Sequence, residues 1–150
     1  MELLNILVGM TEEMMMMMIK FRAWDKRIET YLYNVQDAYD TLSGFVKYDD
    51  GEDADYDEDC FGAFLDNKRY DVEQFTGLKD VDGKEIYVGD ILKTKAGLIQ
   101  IVEQGILESD CKNIISGFYA NNLSDDKPHT FSYDDEIIGN VHENPELLEE

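Results

Sequence analysis

The sequence predicts a mainly β protein: a small curled sheet, or an SH3-like or OB-like barrel, with short helices that include one at the C-terminus. Three features predict it. Glycine-containing corners recur at short intervals, apolar and polar residues alternate with a period of two, and nine Tyr and seven Phe stand beside only two Pro. All three meet in residues 74–93, QFTGLKDVDGKEIYVGDILK. Asp82-Gly83 is a strong hairpin signal, because Gly takes positive φ without a steric penalty and Asp tolerates it. Lys84, Glu85, Ile86, Tyr87 and Val88 then alternate as a half-buried strand should, until Gly89 and Asp90 break the run and Ile91-Leu92 restart it. Gly77, Asp82, Gly83, Gly89 and Asp90 are the turn-defining residues. Turns so close together bend a sheet sharply, which suits a curled or barrel-like arrangement better than a flat one.

With 150 residues the chain is long enough for one domain with its own core and no need of disulfides or metals. Apolar content of 43% and aromatic content of 11% oppose global disorder. The net charge of -21 disfavours direct contact with nucleic acid or an anionic membrane, since both repel the chain from most directions of approach. It leaves basic partners, cations or plain solubility. Cys60 and Cys111 form no CxxC pair and are read as reduced thiols of a cytoplasmic protein.

Residues 1–18, MELLNILVGMTEEMMMMM, stand apart as an N-terminal extension. They lack the basic start of a signal peptide, and their apolar runs are too short to span a bilayer. They either dock as a short amphipathic helix or precede the true start of translation at one of Met14 to Met18, which is the preferred reading. The Met run suits only soft Cu(I), with no His or Cys beside it in sequence, so no metal site is assigned there.

Residues 19–150 are read as a single domain. Residues 19–35 form a hairpin, with Asp25, Lys26 and Arg27 in the turn. Trp24 beside Arg22 is either a stacking platform for a ligand or, as preferred, a partly buried aromatic covering the sheet edge or a subunit contact. Residues 36–48 fit either a turn or two of helix ended by Gly44 or an irregular crossover. Residues 61–65 are expected to be a strand, with a turn at Asp66-Asn67. Residues 98–102 are the most strand-like run in the chain. Further strands are expected at 113–119, interrupted by Gly117, at 130–133 and at 136–141, with a polar loop at 121–128. At the C-terminus Asn144 is a good N-cap, Pro145 suits the first helical position, and Leu147 and Leu148 supply the docking face.

Residues 49–59, DDGEDADYDED, hold eight carboxylates in eleven positions: Asp49, Asp50, Glu52, Asp53, Asp55, Asp57, Glu58 and Asp59. So self-repelling a stretch is expected to be an exposed, mobile loop, and it is the candidate interaction loop. The spacing of Asp53, Asp55 and Asp57 resembles a calcium loop. However, Glu58 stands where the turn needs Gly and Phe64 where a bidentate Glu is required.

Three separated pieces, IKFRAWDK from Ile19, QFTGLKDVDGKEIYVGDILK from Gln74 and IIGNVHENPELL from Ile137, resemble the YopX family of bacteriophage and prophage proteins. The likeness runs in order from Ile19 to nearly the last residue, and its middle motif is the most specific. The resemblance implies a small phage-encoded protein without an assigned activity, in a family with some homo-oligomeric members. It supplies no catalytic residues, and the extension and the acidic loop depart from the family pattern.

The chain is read as non-enzymatic. Its only histidines are His129 and His142, its only thiols are Cys60 and Cys111, and no motif surrounds any of them. No phosphate-binding loop, zinc spacing or cofactor motif is present. The leading expectation is a self-associating phage accessory module, located in the host cytoplasm, that binds a host or phage protein with a basic surface. The alternative is an acidic DNA mimic that blocks a host nucleic-acid-binding protein, and a second alternative is a weak divalent-cation module built on residues 49–59.

Overall fold

The computed structural model of the protein describes residues 19–38, 44–108, 114–123, 127–129, 131–132 and 134–149. The extension at 1–18, residues 39–43 of the helix-or-crossover stretch, Cys111, Asp125, Asp126, Thr130 and Tyr133 lie outside the described residues. The fold is mainly β, and it forms two antiparallel sheets and not a closed barrel. In chain order the strands are β1 Phe21–Asp25, β2 Thr30–Tyr33, β3 Lys47–Tyr48, β4 Tyr70–Lys79, β5 Glu85–Tyr87, β6 Asp90–Lys93, β7 Ile99–Glu108, β8 Ile114–Asn122, β9 Lys127–His129 and β10 Glu136–Asn140. One sheet has the order β3-β2-β1-β4-β5 and the other β10-β6-β7-β8-β9. The end strands of a sheet do not meet, so neither sheet closes. The barrel alternative is corrected accordingly. No helix among the described residues is long and apolar enough to cross a membrane.

The chain divides into two compact units, Met1–Phe75 and Thr76–Glu150. In the first, the expected hairpin forms with Ala23 opposite Leu32 and Trp24 opposite Tyr31. Both faces of β1 are buried, and each residue of FRAWD has a structural task. Ala23 enters an apolar core with Leu32, Val35, Val46, Tyr56, Phe64 and Tyr70, and Phe21 packs against that core with its ring 4.7 Å from Phe61. On the opposite face Arg22 Nε donates to Glu73 Oε1 at 2.9 Å, and the guanidinium lies over the Tyr31 ring at 4.2 Å. Trp24 is buried edge-on against Tyr31 at 4.9 Å, so its ring face is no platform for a ligand. Asp25, fully buried, ends the strand and holds the turn by accepting from Arg27 N–H at 3.0 Å.

Residues 61–65 are not a strand. They lie in a short helix, α1, Phe61–Asp66. The short apolar run F-G-A-F-L is compatible with a strand, but the burial has a helical period. Phe64 is fully buried and Phe61, three positions earlier, packs on the same core, while Leu65 is exposed. A strand would have placed Phe61 and Phe64 on opposite faces.

In the second unit Ile86, Leu92 and Val102 form a small core, with Phe131 and Ile137 packed on it. β8 runs unbroken through Gly117, which pairs with Gly105 and adopts φ 148, a value that a residue with a Cβ rarely takes. The C-terminal residues form a 3-10 turn, Pro145–Leu148, with Pro at its start. Asn144 does not cap it with its side chain. Its Oδ1 instead accepts from Asn140 N–H at 3.2 Å, an arrangement that requires Gly139, since a Cβ there would lie 2.6 Å from that same oxygen.

Most of the strand margins are stopped by side chains or by extra backbone. Along β3, Lys47 bridges Asp53 and Ala54 N–H donates to Val46 O at 3.0 Å, so residues 52–54 cover that margin. On β5, Tyr87 N–H donates to Asp90 Oδ2 at 2.8 Å. On β10, Ile137 N–H donates to Asp80 Oδ2 at 3.0 Å and Asn140 N–H to Asn144. β9 contains Pro128, which has no N–H to offer.

Asp135, next to β10, is buried with one oxygen accepting from Ser132 N–H at 2.8 Å and the other, Oδ1, without a hydrogen-bond partner. Burial, opposed by the Ser132 N–H and reinforced by the neighbouring Asp134 charge, raises its pKa. A raised folded value means that the protonated carboxyl is favoured in the fold. Its stabilising contribution is complete below the unfolded value and fades as pH rises through the folded one. Asp135→Asn is therefore expected to be more stable than the parent at neutral pH by about 1 kcal/mol, the low end for a buried unsatisfied group. Urea unfolding from acid to neutral pH checks this: the gain should vanish toward acid, and a gain independent of pH would contradict it.

Candidate functional site at the acidic segment

Residues 49–59 form an ordered corner and not a free loop. β3 enters it, and the backbone folds back at once: Gly51 N–H donates to Tyr48 O at 3.0 Å and Tyr48 N–H to Glu52 O at 2.9 Å. Gly51 has φ 85, the left-handed conformation that lets the turn be so tight. Asp50 Oδ1 accepts from Glu52 N–H at 2.9 Å, a side-chain turn of the kind Asp makes readily. Asp55 N–H donates to the Tyr48 hydroxyl at 3.0 Å. Tyr56 then turns inward and packs its ring 5.6 Å from Phe64, anchoring the segment to the core.

The anchoring sorts the eight carboxylates. Asp49, Asp50, Glu52, Asp53, Asp55, Asp57 and Asp59 are exposed, with Asp53 paired to Lys47. Glu58 is buried and departs from the expected solvent-facing arrangement. It accepts from the Tyr70 hydroxyl at 2.7 Å and from Asn67 Nδ2 at 3.1 Å, so it serves as an internal hydrogen-bond acceptor. Burial, together with the Glu58 hydrogen bond and charge, raises the Tyr70 pKa and keeps its phenol neutral. Among the described residues no three His, Cys, Asp or Glu gather at metal-binding distances.

Beside the segment lies a cleft of about 210 Å³ lined by Arg27, Ile28, Tyr48, Asp55, Tyr56, Asp57 and Arg69. A shallower one of about 390 Å³ is lined by Thr30, Tyr48, Asp49 and Asp50. Tyr48 is common to both. Arg69 forms a two-pronged ion pair with Asp25, Nε donating at 2.9 Å and Nη2 at 2.7 Å. Burial alone would raise the Asp25 pKa, but the Arg69 hydrogen bond and charge, with the N–H groups of Arg27 and Ile28, outweigh it and lower the value. That hydrogen bond likewise raises the Arg69 pKa. The cleft therefore combines one neutralised arginine, one exposed arginine, two tyrosines and two exposed carboxylates. Such a surface can hold polar and cationic groups. It contains no nucleophile–base pair.

The turn-defining residues lie in the second unit. Gly77, Gly83 and Gly89 all have positive φ, at 87, 84 and 93 respectively. Asp90 fastens Tyr87 N–H, but Asp82 is not the residue that holds its turn. Asp80 does so, its Oδ1 accepting from Asp82 N–H and Lys84 N–H at 2.9 Å each. Sequence reasoning missed Asp80, although an Asp two residues ahead of Asp-Gly is a recognisable side-chain turn. It placed Asp25 in its turn but missed the Arg69 partner, and it missed Tyr48 as well. Of the histidines and thiols considered for catalysis, Cys60 is exposed, and His142 N–H donates to Asn140 Oδ1 at 3.1 Å.

Among solved structures, the chain is similar to the crystal structure of protein EF1440 from Enterococcus faecalis. The likeness is 28% in sequence over 87% of this chain and 98% of that one, with a TM-score of 0.48. No curated protein matches it. The family model described as YopX protein matches residues 20–149, a span that takes in the Phe-Arg-Ala-Trp-Asp strand, the Asp-Gly hairpin and the Pro145 turn. The chain belongs to the YopX protein family.

Proposed function

We propose that the protein is a non-enzymatic accessory module of a phage or prophage, acting in the host cytoplasm, which self-associates and binds another protein through that protein's basic surface. The observation that carries this reading is the acidic corner. Its backbone is fastened by Tyr48, Asp50 and Tyr56 while seven carboxylates face water, so the charge is presented from a preformed framework. A partner would lose little ordering entropy from this side on binding. Tyr48, between the two clefts, offers the aromatic contact that protein interfaces favour. Exposed apolar side chains such as Leu78 and Val81 are available for contacts between copies.

Calorimetric titration with a Lys/Arg-rich peptide tests the binding half. The triple change Asp49→Asn, Asp50→Asn and Glu52→Gln keeps the turn acceptor of Asp50 and removes charge only. It is expected to weaken binding about tenfold at low salt, as the sum of exposed pairs each worth a few tenths to one kcal/mol. Unchanged affinity would sink this half. Light scattering across micromolar concentrations tests the other half, and a strictly monomeric species would reject it.

A further inference from the structure

Beside the stopped margins of β3, β5, β9 and β10, one further stretch among the described residues stands apart. β6 pairs with β7 only from Ile99 to Ile101, and β9 with β8 only from Ala120 to Asn122. β7 and β8 nevertheless pair with each other out to Glu108 and Ile114. Their outer half is thus a two-stranded ribbon with, among the described residues, no strand on either side. Two-stranded ribbons are marginal alone and gain from an added strand.

Register gives the direction of the ribbon's main-chain groups. Leu123 N–H donates to Ile99 O at 3.1 Å, which makes residues 99 and 123 a hydrogen-bonded pair. Antiparallel ladders alternate, so Glu103 and Tyr119 form a pair of the same kind, while the N–H and C=O groups of Ile114, Ser116 and Phe118 point away from β7. The bond from Gly89 N–H to Val102 O, running outward from β7, agrees with this parity. β8, IISGFYANN, carries none of the Pro or Lys residues that usually blunt such a margin.

Charge selects the occupant. The two ribbon strands contain Glu103 and Glu108 and no Lys or Arg, within a chain of net charge -21. A second copy laid along β8 would set one chain of net charge -21 against another, whereas a basic strand meets opposite charge. We propose that the outer margin of β8, from Ile114 to Phe118, is a strand-addition site that takes an extended, Lys- or Arg-bearing segment of another protein as an antiparallel strand. This rests on the reading of the protein as a binder of basic partners, but moves the contact from the acidic corner to the β8 backbone.

The probe is a short peptide alternating Lys and Val, added to the full chain, with amide hydrogen exchange read residue by residue. Exchange at Ile114, Ser116 and Phe118 is expected to slow about tenfold, with β10 amides unchanged. Ser116→Pro removes one outward N–H at a position where a strand margin tolerates Pro, so it should abolish that protection while leaving the thermal midpoint in place. If Ser116→Pro alters folding, Ser116 in an N-methylated form made by chemical ligation supplies the same deletion. Protection confined to residues 49–59 and lost in the Asp49, Asp50 and Glu52 triple variant would overturn this site while sustaining the proposed function. Protection of β8 that appears without peptide and grows with protein concentration would make the occupant a second copy and overturn the proposal. Absence of peptide binding at both places would remove both readings.

Discussion

Replacing Asp25 by alanine should lower the unfolding free energy by about 3 kcal/mol, at the lower end of what breaking a buried ion pair costs. The carboxylate is fully buried and accepts from Arg69 Nε, Arg69 Nη2 and Arg27 N–H. Its loss strands the Arg69 guanidinium, whose side chain is only 21% exposed, and unfastens the β1–β2 turn. Arg69 keeps some water, which is why the upper end of the range is not expected. Because the Asp25 pKa is lowered in the fold, its contribution is present above the unfolded carboxyl value and is lost as pH falls through the folded one. The parent should therefore lose stability in acid along a limb that Asp25→Ala lacks. Urea unfolding at neutral and acid pH measures both, and a neutral-pH loss under about 1 kcal/mol, typical of an exposed pair, would contradict the assignment.

Phe64→Ala is expected to be at least as damaging, by about 4 kcal/mol, the usual cost of emptying a fully buried aromatic site. Phe64 is the ring on which two others rest, Tyr70 at 4.8 Å and Tyr56 at 5.6 Å. Tyr56 anchors the acidic corner, so the same substitution should loosen a segment whose charges it never touches. Affinity for a Lys/Arg-rich peptide is expected to fall alongside stability. Full affinity in a folded Phe64→Ala chain would show that the corner binds without being held in shape.

Much of the architecture could be read from the chain, for physical reasons that also mark where the reading failed. Local turn chemistry is legible because it depends on neighbours in sequence: Gly83 and Gly89 sit at positive φ and Asp90 takes its backbone donor three residues away. The β1–β2 hairpin is legible for the same reason. The helix at Phe61–Asp66 was missed because five residues are too few to tell a period of two from one of 3.6, and only the core beneath Phe64 decides. Glu58 reads as solvent-facing because its sequence neighbours are acidic. Its partners, Tyr70 and Asn67, come from beyond α1 and no local pattern announces them. The Asp25–Arg69 pair spans 44 positions and was illegible on the same ground. Composition likewise located the acidic corner but could not show that Tyr56 would pin it.

The stoppers on β5 and β10 have a structural corollary. Asp90, Asp80 and Asn144 each occupy a donor that would otherwise recruit a neighbouring chain, and each does so with a single side chain. A change at Asn144 would uncap the β10 border at Asn140 without altering a strand, whereas Asp80 also fastens the Asp82-Gly83 turn and Asp90 is itself part of β6. At Asn144 the border and the paired strands behind it are separable, so one can change while the other stays as it is.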